Sequence, residues 1–148
     1  MYTHIVVGTD GSPTAGEAVR HAARLAGTTG ATLHIVHVFQ PVPTMAVMGI
    51  DGGAALAASG AADEAERQAQ QVLEAAVKVA REQGANAEGL LAIDDPANAL
   101  LDTAERVNAD LLVVGNKGMS GVKRFVLGSV PNKVSHHCGC SLLIVHTA

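Results

Sequence analysis

The chain has 148 residues, 48% of them hydrophobic and 16% charged with a net charge of −4, which describes one globular domain over 1–148 rather than a disordered chain. Its apolar runs fall far short of the roughly 20 residues of a membrane helix, and three aromatics (Tyr2, Phe39, Phe125) are too few for base stacking, so neither membrane nor nucleic acid is an expected partner. All 14 acidic residues lie at or before Asp110, leaving four cations and no carboxylate after it, a balance that suits a small anion or reflects a chance cluster of surface lysines.

Strand and helix patterns alternate along the chain. Ile5-Val6-Val7 is a β-branched run close to the N-terminus, so no signal peptide is expected before it. It ends in Gly8-Thr9-Asp10-Gly11, after which Ser12 and Pro13 form an N-cap and first-turn pair. Apolar residues from Ala15 to Ala26 then recur at helical spacing up to Gly27. Leu33 to Val38 reads as a second strand; His34 and His37 lie three apart on it, face opposite sides and are expected to be packed or hydrogen-bonded.

Residues 40 to about 60 break the rhythm with Pro41, Pro43, Gly49, Gly52, Gly53 and Gly60, and read as a long loop. This loop could close over a ligand or present Met45 and Met48 to a partner. Asp63 opens a helix that Gly84 ends, Leu90 to Ile93 is a third strand, and Asp94-Asp95-Pro96 starts a helix running through Val107. Leu111 to Val114 is a fourth strand, a helix from about Pro131 to His137 follows, and Leu142 to Val145 closes the chain as a fifth strand. Strands joined through helices run parallel, with right-handed crossovers and helices on both faces. Ligands of such sheets bind at the carboxyl ends of the strands, where strand order reverses.

The chemistry concentrates after the fourth strand, in Gly115-Asn116-Lys117-Gly118 and Gly128-Ser129-Val130-Pro131. Glycines at a strand end let the backbone approach an anion, and the N-terminus of the next helix offers unpaired N–H groups to hold it. Neither a Walker A motif nor a dinucleotide fingerprint is present. The phosphate loop holds no carboxylate or histidine, so no catalytic residue is expected and turnover of a nucleotide would be slow at most. His136-His137-Cys138-Gly139-Cys140 lacks the ligand spacing of a zinc site, so no metal site is expected there; Cys138 and Cys140 are too near in sequence for an unstrained bridge, which suits a reducing, cytoplasmic setting.

The spacing Gly115-x2-Gly118-x9-Gly128-Ser129 resembles the nucleotide-binding motif G-x2-G-x9-G-(S/T) of the universal stress protein family. The opening Ile5 to Ser12, the His37-Val38 strand end and the closing Ser141 to Val145 extend the resemblance over the chain, apart from the variable loop. It implies a three-layer, Rossmann-like fold with a five-stranded parallel sheet in the order 3-2-1-4-5. It also implies an adenine nucleotide as cofactor, ATP with Mg²⁺ first and cyclic AMP as the alternative. Gly8, Thr9 and Asp10 would face ribose or metal-bound phosphates, and Val38 the adenine; Val114, Gly115, Lys117 and Gly118 would follow the ribose and phosphates. The N–H groups of Gly128, Ser129 and Val130 would bind phosphate oxygens. Asp10 could equally be a turn residue, Gly115 and Gly118 plain turn glycines, and Lys117, Lys123 and Arg124 solvated cations. The resemblance further implies a homodimer through edge strand 141–146, and a nucleotide-independent dimeric scaffold is the alternative from another class.

Overall fold

The computed structural model describes residues 1–40, 52–117 and 127–147, with backbone alone for 52–59. Nine elements alternate along it: β1 (His4–Thr9), α1 (Pro13–Thr29), β2 (Thr32–Val38), α2 (Gly52–Glu82), β3 (Asn86–Ala92), α3 (Pro96–Arg106), β4 (Leu111–Gly115), α4 (Ser129–His137) and β5 (Ser141–Val145). The strands form one parallel sheet in the order β3-β2-β1-β4-β5, the order expected. β1 and β4 are neighbours, with Ile5, Val6 and Val7 opposite Leu111, Leu112 and Val113, so strand order reverses between them.

The continuous apolar runs of β1, β2 and β4 follow from burial on both faces. On one face Ile5, Val7, Leu33, Ile35, Leu111 and Val113 pack against Ala18, Ala22 and Ala26 of α1 and Leu73 and Ala80 of α2. On the other, Val6, Val36, Leu112 and Val114 pack against Ala97, Leu100 and Ala104 of α3 and Val134 of α4. Each fully buried large aliphatic side chain contributes about 1.5–3 kcal/mol.

Four elements differ in extent from the sequence reading, each for a local reason. α1 continues past Gly27 to Thr29 and ends at Gly30, whose φ of 75° supplies the left-handed cap and whose N–H donates to Ala26 O. Gly27 sits inside the helix because a methyl there would lie 3.3 Å from the carbonyls of Gln83 and Gly84, beyond the end of α2. α2 starts at Gly52, so residues 52–60 are helical and the expected loop is shorter; that segment is rich in alanine, the best helix former, which outweighs its glycines. Residues 41–51, with Met45 and Met48, lie outside the described residues.

β3 begins at Asn86, four residues early, and stops before Ile93, which is exposed. Its pairing with β2 runs from Thr32↔Asn86 to Val38↔Ala92 and includes Gly89 and the exposed Glu88, residues of low strand propensity carried by the ladder. α4 begins at Ser129, two residues before Pro131, because a proline fits anywhere in the first turn. No helix among the described residues is long and apolar enough to cross a membrane.

Candidate functional site

A cavity of about 300 Å³ opens at the carboxyl end of the sheet, over the β1–β4 reversal and on the α3–α4 face. Gly8, Val36, Val38 and Val114 from three adjacent strands form its floor. Pro96 and Leu100 of α3 stand on one side, and Ser129, Val130 and Pro131 of α4 on the other. Thr9, Asp10, Ala15, Gly115, Lys117 and Gly128 complete the lining. The sequence candidates Gly8, Thr9, Asp10, Val38, Val114, Gly115, Lys117, Gly128, Ser129 and Val130 thus come together around one space. Gly118, Lys123 and Arg124 lie outside the described residues.

Three helix N-termini meet near this end of the sheet, and two carry side-chain caps. Ser12 Oγ accepts from Ala15 N–H at 3.2 Å in α1, and Asp95 Oδ2 accepts from Asn98 N–H at 3.1 Å in α3. α4 has Gly128 as its N-cap and no side-chain cap. Its first backbone bond inside the helix runs from Asn132 N–H to Gly128 O, and Pro131 has no N–H to offer. The Gly128 N–H donates to Asn116 O at 3.1 Å, and Ser129 and Val130, the first two residues of α4, line the cavity. The Gly128 N–H, one of the three donors read from the sequence, is thus engaged within the chain.

Asp10 is exposed at the cavity rim, and its Oδ1 accepts the Ser12 N–H at 2.9 Å, the turn role that the Asp-Gly-Ser sequence allows. Thr9 Oγ1 accepts from Gly11 N–H at 3.2 Å, and Thr9 O accepts from His37 Nδ1 at 2.9 Å. His37 is therefore a buried, hydrogen-bonded side chain, as expected, and fixes the end of β1. The α3 cap is tied to α4 by Lys133 Nζ, which donates to Asp95 Oδ2 at 3.0 Å and holds the Asp95 carboxyl below the usual range, with the Asn98 N–H adding to the effect. Among the described residues no group of three or more His, Cys, Asp or Glu is placed to hold a metal ion.

Sequence reasoning missed the residue that fixes the start of the loop. Asn116 Oδ1 accepts from both Thr147 N–H and Thr147 Oγ1 at 2.8 Å, while Asn116 N–H donates to Val145 O at 2.9 Å. Its own carbonyl takes the Gly128 N–H, so one residue joins β4, the end of β5 and the start of α4. A lone asparagine after a glycine carries no sequence signal for this. Val36, Leu100 and Pro96 were also missed; Val36 is readable only as the same-face neighbour of Val38 once a strand is assigned. At Gly115 a methyl would lie 3.3 Å from Lys117 O, so the backbone turns tightly just where the cavity begins.

Known proteins share both the sequence and this architecture. The universal stress protein YxiE of Bacillus subtilis is 35% identical over 98% of this chain and 99% of its own length. A solved universal stress protein in complex with cyclic AMP is 34% identical, with a TM-score of 0.72 over 99% of this chain and 98% of that one. The universal stress protein of Archaeoglobus fulgidus in complex with dAMP is 25% identical, with a TM-score of 0.67 over 97% of each chain. Residues 1–146 match the Universal stress protein family. The parallel sheet and a family match over almost every residue agree: the chain belongs to the universal stress protein family.

Proposed function

We propose that the chain binds an adenine nucleotide in the cavity at the β1–β4 reversal and acts as a regulatory stress protein with little or no catalysis. One observation carries this reading: an apolar floor of Val36, Val38 and Val114 and the uncapped N-terminus of α4 open into the same space. The base lies against the valines, where burial of its faces is favourable. A phosphate sits at the Ser129 and Val130 N–H groups, which have no side-chain cap and carry the positive end of the helix dipole. Lys117, also on the lining, adds a cation. Asp10 faces the ribose or a phosphate-bound Mg²⁺ and holds its turn at the same time. The cyclic AMP and dAMP complexes of the two solved relatives support an adenine nucleotide as the ligand class. ATP with Mg²⁺ fits the same seat provided its outer phosphates reach further cations.

The reading places the protein in the cytoplasm, where adenine nucleotides are available, and gives nucleic acid no role. It also takes β5 as a homodimer edge, since among the described residues that strand pairs with β4 alone.

Calorimetric titration of nucleotide-stripped protein with cyclic AMP and with MgATP tests the proposal, with Gly115→Ala as control. Binding of either nucleotide, weakened about tenfold or more by Gly115→Ala, is the expected result. Tighter binding of cyclic AMP identifies a second-messenger sensor or sink, and tighter MgATP an energy-state switch. Absence of heat from both, with the fold intact, overturns the reading and leaves a nucleotide-independent scaffold.

A further inference from the structure

The link between α4 and β5 carries the only two cysteines of the chain, in the sequence Cys138-Gly139-Cys140. Both thiols are free, and their sulfur atoms lie 3.4 Å apart. A disulfide bond is about 2.05 Å long, so the sulfurs are in contact and need only a small approach to bond. Gly139 between them is exposed, with open space where a side chain would be, while Cys138 and Cys140 pack against the core on the α3–α4 face. A cleft of about 400 Å³ reaches both cysteines, with Asp102, Glu105, Asn108 and His137 among its lining residues. It lies at the opposite end of α4 from Ser129 and is separate from the nucleotide cavity.

We propose that Cys138 and Cys140 form a redox-active dithiol that closes to an intramolecular disulfide on reaction with a small-molecule disulfide. The Cys138 thiolate attacks one sulfur of the reagent R–S–S–R, forming a mixed disulfide and expelling the first thiolate, which takes up the proton of Cys140. The Cys140 thiolate then attacks the Cys138 sulfur, forming the Cys138–Cys140 bond and expelling the second thiolate. Two protein thiols are oxidised, one reagent disulfide is reduced to two thiols, and the two protons leave with them. The order follows from the environment: burial, with the hydrogen bond to Cys138 adding to it, pushes the Cys140 thiol up to about 12, so Cys140 resolves rather than attacks. A bridge across a single residue is strained, and strained disulfides are reduced readily, which makes the site reversible instead of structural. The carboxylates of Asp102 and Glu105 on the cleft lining favour a cationic reagent.

Reduced full-length protein is incubated with cystamine, a cationic disulfide, and followed by thiol titration and intact mass. The expected result is loss of both thiols, a mass lower by two hydrogens, no covalent dimer, and full recovery with dithiothreitol. Cys140→Ser should stop at a cysteamine adduct on Cys138, whereas Cys138→Ser should keep its thiol. A wild-type chain that keeps both thiols, accumulates cysteamine adducts or cross-links to a second chain overturns the proposal.

Discussion

Asn116 uses its side chain and both backbone groups to hold the start of the loop against the end of β5 and the start of α4. Thr147 is 1% exposed, so without Asn116 Oδ1 its N–H and hydroxyl would be buried and unpaired. Leaving buried donors unsatisfied costs about 1–3 kcal/mol. Asn116→Ala is therefore expected to lower stability by about that amount in chemical denaturation, and to weaken nucleotide binding severalfold because Gly115 and Lys117 lose their anchor. Asn116→Asp keeps the acceptor and should retain most of the stability. An alanine variant as stable as the parent would show that the contact to Thr147 is dispensable. Among residues legible in the sequence, Gly8, Gly115, Gly128 and Ser129 could be chosen because glycine and a helix start have a physical meaning for an anion. Asn116 could not, because its role depends on the C-terminal residues that the sheet brings beside it.

At the scale of elements, the alternation of apolar runs and helical periods was enough to place every strand and helix. β1, β2, β4 and β5 were legible to within one or two residues, because buried parallel strands read as unbroken apolar runs. The start of β3 was not: Asn86, Glu88 and Gly89 are poor strand formers, and only their ladder with β2 makes them extended. The start of α2 was hidden by Gly52, Gly53 and Gly60, which were weighed above the alanines between them. The apolar residues of β5, from Leu142 to Ile144, are half-buried on an edge whose outer side has no partner strand among the described residues. Such an edge is a template for pairing, and a second copy of β5 would cover it. Light scattering during size exclusion is expected to give a dimer at micromolar concentration, and Leu143→Lys to shift it toward monomer. A parent protein that elutes as a monomer contradicts the β5 interface.

At the scale of the molecule, three groups give stability the same pH dependence. Burial holds His34 below its ordinary value of 6.5, against the raising effect of Glu88, with His4 and Arg106 adding to the lowering. For Asp110 burial acts upward, but hydrogen bonds from Thr3 N–H, Thr3 Oγ1 and His4 N–H outweigh it and hold the carboxyl below 3.8. Asp95 is held below 3.8 by Lys133. In each case the unfolded chain binds protons more readily than the folded one, so stability rises with pH through the window of titration. The His34 contribution is present above pH 6.5 and is lost as the pH falls below it; the two carboxylate contributions are lost only below about pH 4. The thermal midpoint should therefore decline in two stages on acidification, and His34→Gln should remove the first stage while leaving the second. A midpoint that rises as the pH falls from 7 to 5 would contradict this assignment.

The central claim is that a nucleotide phosphate sits on the first turn of α4 with its base over the β1–β4 reversal. Backbone amide resonances of isotope-labelled protein, titrated with cyclic AMP, test this directly. The account predicts the largest shifts at the Ser129 and Val130 amides, smaller ones at Gly8, Val38 and Gly115, and little change at β3 or at the Cys138–Cys140 corner. Shifts centred elsewhere, or none at saturating nucleotide, would contradict it.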